Sequence, residues 1–77
     1  MKTQTIEEKI KVIKQAMKYG VAIVLGDYYS VNSQTISNRS VVPLKIKGDN
    51  VLCFDLDKNG EWRQFKFDRI RGEVYEM

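Results

Sequence analysis

RSVVPLKIKGDNVLCFDLDKNGEWRQFKF, residues 39–67, decides the fold. Its first part, Arg39 to Lys47, alternates Val42, Leu44 and Ile46 with Lys45 and Lys47, the period of a strand with one buried face. Pro43 interrupts that strand without an amide donor, which favours a bulge or a sheet edge there. Gly48-Asp49-Asn50 then turns the chain into the apolar run Val51 to Leu56. Asp57-Lys58-Asn59-Gly60 turns it again, its Asn-Gly pair being a strong hairpin signal, and Glu61 to Phe67 follows as a further strand. Three strands joined by two tight turns make an antiparallel meander.

The second turn also matches the first half of a calcium-binding loop, with Asp55, Asp57, Asn59 and Gly60 in the D-x-[DN]-x-[DN]-G positions. Such a loop closes its coordination shell with a carboxylate at position twelve. Lys66 stands there, Arg63 occupies position nine, and strands rather than helices flank the turn. The hairpin reading prevails, so the sequence carries no metal site.

Outward from the meander, Thr5-Ile6-Glu7-Glu8 is a capping box in which the Thr5 hydroxyl accepts from the Glu8 amide and the Glu8 side chain reaches back. Ile6, Ile10, Ile13 and Met17 follow at helical spacing, with Val12 and Ala16 widening the stripe, and Gly20 supplies a stop. A helix over about 5–19 follows, its lysines (Lys9, Lys11, Lys14 and Lys18) forming a solvated face. Val21 to Leu25 is a buried strand that Gly26-Asp27 bulges or bends before Tyr28 and Tyr29. Ser30 to Asn38 reads as a polar hairpin loop, and Ile70 to Tyr75 as a last strand. The expected architecture is α+β: one helix, then strands over about 21–29, 39–47, 51–56, 61–67 and 70–75 in a strongly bent antiparallel sheet, a small barrel of SH3 or Sm type. Residues 1–77 form a single domain.

Composition narrows the chemistry. A chain of 77 residues buries only roughly 60% of its unfolded surface, so its stability is modest and oligomerisation would help. It lacks histidine, the commonest general base and a common metal ligand. Its single cysteine, Cys53, lies in an apolar run and reads as a buried, reduced core residue of a cytoplasmic protein. Neither a phosphate loop nor a dinucleotide fingerprint is present, so the sequence points away from an enzyme and calls for no cofactor. The net charge of +3 permits contact with nucleic acid or a phosphorylated ligand. No apolar run is long enough to span a bilayer, which takes about 18 residues.

R-S-V-V-P at 39–43 and R-Q-F-K-F-D-R-I at 63–70 resemble the R-x-V-x-P strand and R-x-F-x-x-D-R-I segment of WYL domains, in the family's order and approximate spacing. The naming Trp-Tyr-Leu is replaced, in gapless register, by Asn50-Val51-Leu52, so the chain resembles a divergent member. The resemblance implies an Sm-like barrel acting in bacterial transcription regulation, where such domains sense a ligand, nucleic acid or nucleotide through a basic pocket. It carries across to Arg39, Arg63 and Arg69, and more loosely to Tyr28. The opening Met and helix cap favour a free-standing protein of the kind phages or mobile elements carry, with a cut-out domain as the alternative.

Periodicity adds its own reading of Arg63. Residues two apart share a strand face, so Arg63 lies beside Phe65 and Phe67, while Trp62, Gln64 and Lys66 take the other side. Arg63 either snorkels to the barrel rim or lines a pocket. Clustered with Arg39 and Arg69 it would suffer mutual repulsion, so its neutralisation is expected to leave the free fold unchanged or slightly more stable. Asp68-Arg69 reads either as a corner contact or as part of a binding site. Trp62, Tyr28 and Tyr29 are candidates for base stacking and Lys66 for an added cation, with core or rim packing as the plainer role. Two functions follow: a regulatory module binding an anionic ligand or single-stranded nucleic acid, or an adaptor docking on a larger protein by its exposed strand edge, with the arginines structural.

Overall fold

A computed structural model describes residues 4–77, the side chain of Lys58 excepted. Helix α1 spans Ile6–Tyr19. Thr5 caps it in full: its hydroxyl accepts from the Glu8 amide at 3.1 Å, and the Glu8 carboxylate accepts from the Thr5 amide at 3.0 Å. Gly20 ends it in the left-handed region at φ 65°. Ile13 and Ala16 are buried on the sheet, with Ile10, Val12 and Met17 packed around them. Lys9 departs from the expected solvated face. It is buried, and its ammonium donates to the carbonyl of Ile70, 61 residues away in sequence. The aliphatic stem packs as core while a backbone oxygen satisfies the charged tip.

Five strands follow: β1 Ile23–Ser30, β2 Thr35–Lys47, β3 Asn50–Asp55, β4 Glu61–Lys66 and β5 Val74–Glu76. They form one antiparallel sheet in the order β4-β3-β2-β1-β5, so the last strand returns to the outer side of the first. Both expected bends are present. The register shifts between Leu25 and Tyr28, where Asp27 adopts φ 47°, and again between Pro43 and Lys45. These bulges set which side chains point inward. Leu25 and Tyr28 are three apart, an interval that would divide them between faces of a regular strand, yet both are buried. On β2, Val41 and Pro43 are buried and the bulge then turns Ile46 inward. The even alternation of Val42, Leu44 and Ile46 therefore does not mark the buried face: Leu44 is 45% exposed.

Several boundaries differ from the sequence reading, the start of β1 at Ile23 rather than Val21 among them. β2 begins at Thr35, within the expected loop, because Thr35, Ile36 and Ser37 pair with Ser30, Tyr29 and Tyr28 of β1. Leu56–Lys58 leaves the third strand as a 3-10 turn whose Asp55 cap accepts from the Asp57 amide. Phe67–Arg69 is likewise a 3-10 corner, so the final strand starts at Val74, with Ile70 contributing an isolated bridge to Tyr28. The core comprises Ile13, Ile23, Leu25, Val41, Val51, Cys53, Phe65, Phe67, Ile70 and Val74 among others, each fully buried aliphatic side chain stabilising by roughly 1.5–3 kcal/mol. No helix among the described residues is long and apolar enough to cross a membrane.

Candidate anion-binding pocket

Three arginines reach one concavity from three different elements. Arg39 stands on β2 opposite Leu25, Arg63 on β4 opposite Cys53, and Arg69 ends the 3-10 corner after β4. With Tyr28 they line a pocket of about 110 Å³, closed by Ser30 at the end of β1, by Val31 and Asn32 of the turn after it, and by Gln64 and Phe65 of β4. That volume is well below the roughly 300–1,000 Å³ of sites that enclose a whole drug-sized ligand. It suits one anionic group of a ligand, the remainder lying outside.

Tyr28 fixes the geometry from below. It is 6% exposed, meets Phe65 edge-on with ring centroids 5.0 Å apart, and its hydroxyl accepts from the Lys66 amide at 3.0 Å. The phenolic hydrogen remains to donate. Tyr28 is thus a buried brace presenting one donor, and its ring is not an exposed stacking surface.

The charge balance is set by Asp55, which stands at the end of β3 rather than in the turn that its sequence suggests. It is fully buried: Oδ1 accepts from the Asp57 amide at 2.9 Å, while Oδ2 has no hydrogen-bond partner and lies 4.0 Å from the Arg63 guanidinium. The alternation Val51, Cys53, Asp55 was the available signal, since it puts all three on the inner face. Asp55 offsets part of the repulsion among the arginines, so Arg63 is not a free surplus charge. Arg39 is half-buried, and its Nε is buried without a hydrogen-bond partner. Cys53, buried alongside, has its thiol pushed up to about 12 by burial first and by the Asp55 carboxylate second.

The other two candidates lie elsewhere. Trp62 is 57% exposed and packs edge-on against Phe54 at 5.0 Å; Lys66 shares that outer face of β4. The pocket therefore unites Arg39, Arg63, Arg69 and Tyr28 and leaves Trp62 and Lys66 behind the strand. Ser30, Val31 and Asn32 have no signal in the sequence, since a polar loop gives no sign of which strand end it folds over, and Gln64 lines the pocket although strand alternation sets it on the face opposite Arg63.

No protein-family model matches this chain, and no curated protein matches it either. Among solved structures, proteasome accessory factor B/C (PafBC) of Arthrobacter aurescens matches 97% of the chain with a TM-score of 0.73 at 20% identity. The fold is shared with a segment of PafBC. This chain spans only 12% of that protein's length.

Proposed function

We propose that the chain is a regulatory binding module of WYL type that recognises an anionic ligand, or the backbone of a single-stranded nucleic acid, through Arg39, Arg63 and Arg69. The observation that carries this reading is that three arginines from three elements line one small pocket, with Arg39 Nε buried and unpaired. A buried donor lacking a partner costs free energy, which a phosphate or carboxylate oxygen would recover as a charge-assisted bond. Tyr28 supplies a neutral donor beside them. Trp62 and Lys66 join the site only for a ligand long enough to cross the β4 edge. The reading requires no catalysis and no cofactor, and it fits a cytoplasmic protein with a reduced thiol.

A second reading, an adaptor whose arginines are structural, is favoured by the Arg63–Asp55 contact. Salt separates the two. Binding of a fluorescein-labelled single-stranded oligonucleotide should weaken steeply as salt rises, because each neutralised phosphate releases a counterion. Absence of oligonucleotide and nucleotide binding at low salt would favour the adaptor.

A further inference from the structure

The two edges of the sheet are treated differently. On β5, the Gln4 carboxamide pairs with both backbone groups of Val74, accepting from its amide at 2.7 Å and donating to its carbonyl at 3.0 Å. That edge is capped at Val74. Just beyond β4 the Phe67 amide donates to the Asp49 carbonyl, which sets the alternation: residues 63, 65 and 67 turn their backbone groups toward β3, and residues 62, 64 and 66 turn theirs away. The Lys66 amide is taken by the Tyr28 hydroxyl. Among the described residues, nothing pairs with the outward amides and carbonyls of Trp62 and Gln64, and both residues are exposed. The strand carries no proline or bulge to blunt this edge.

We propose that the free edge of β4 pairs with an extended acidic segment of a partner protein, which adds a strand to the sheet and sets a carboxylate against Arg63. The inference rests on the docking reading and departs from it at Arg63, which here meets the partner as well as Asp55. An added strand would alternate its side chains: those beside Arg63 fall on the pocket face, and those beside Trp62 and Gln64 on the outer face. Arg63 is 40% exposed at mid-edge, its buried counter-ion 4.0 Å away, with Arg69 lining the same pocket. A neutral strand would strip water from Arg63 without compensation, whereas a carboxylate compensates it. The charge thus rejects indiscriminate strands and selects acidic ones. Nucleic acid has no amide ladder with which to meet these backbone groups.

The test uses the full chain and a fluorescein-labelled, acetylated peptide of alternating Val and Glu, compared with its Val–Lys counterpart and with the Val–Glu peptide N-methylated at alternate residues. The acidic peptide should bind and slow hydrogen exchange at the Trp62 and Gln64 amides at least tenfold, while the other two bind at least tenfold more weakly. Gln64→Pro, which removes an amide with no internal partner, should abolish pairing. Should that variant not fold, the N-methylated peptide on the unaltered chain still decides. Equal binding by the N-methylated peptide, unchanged exchange at both amides, or protection already present through self-association would each overturn the proposal. A parallel oligonucleotide titration keeps the readings apart: oligonucleotide binding without peptide pairing defeats this inference alone, and the reverse defeats the pocket.

Discussion

Arg63 stands where the pocket meets the core, and its substitution should register in both. Arg63→Gln should weaken oligonucleotide binding by roughly 1–3 kcal/mol, the scale for losing a hydrogen-bonded charged contact. It should also lower stability by about 1 kcal/mol, because buried Asp55 loses its nearby cation while the exposed half of Arg63 remains screened. Thermal melts and titrations on both proteins check the pair; a more stable variant would restore the view that repulsion dominates. Asp55→Asn works in the opposite direction. It keeps an oxygen for the Asp57 amide and removes the negative charge under the guanidinium, so oligonucleotide affinity should rise by about 1 kcal/mol, or roughly fivefold. Cys53 gives a pH signature. Unfolded chain ionises this thiol near 9.0, whereas the folded chain keeps the proton up to about 12. The folded state therefore binds more protons between those values, and this contribution is complete below about pH 9 and lost as pH rises through the window. Denaturant melts of the parent chain and Cys53→Ala across that range should show a shallower alkaline decline in the variant.

Among the elements, α1 and β1 depend on a few particular contacts. Lys9→Ala should cost about 1–3 kcal/mol, since it empties core space and leaves the Ile70 carbonyl unpaired. Calorimetry reads this directly, and a neutral result would mean that water replaces the ammonium. Gly26 is constrained by proximity: a Cβ there would lie 2.5 Å from the Glu73 carbonyl oxygen, while the Gly26 amide donates to that same oxygen. The helix was legible because its signals are local, Thr5 and Glu8 at one end and Gly20 at the other. The bulges at Gly26-Asp27 and Pro43 were legible for the same reason. The first half of β2 was not. Thr35, Ile36 and Ser37 are too few to show a period and are held extended by pairing with the end of β1, a partnership no local pattern reveals. For the site, periodicity and family resemblance together picked out Arg63, but Asp55 beneath it looked like turn punctuation.

For the whole molecule, the question is whether a charge of +3 on 77 residues is dispersed or directed. The fold directs part of it, gathering Arg39, Arg63 and Arg69 at one end of the inner sheet face, while the Lys9 ammonium is turned into the core. A concentrated cluster produces a salt-sensitive association; scattered lysines would bind weakly and indifferently. The most direct test of this account is a fluorescence-anisotropy titration of a short single-stranded oligonucleotide at two salt concentrations, on the parent chain and Arg39→Gln. Arg39 is the informative position because its buried Nε has no partner within the fold. The parent chain should bind with an affinity that falls steeply with salt, and Arg39→Gln should bind at least tenfold more weakly while keeping its melting temperature. Equal affinity in the two proteins, with a lower melting temperature for the variant, would contradict the account and assign the arginine cluster to structure.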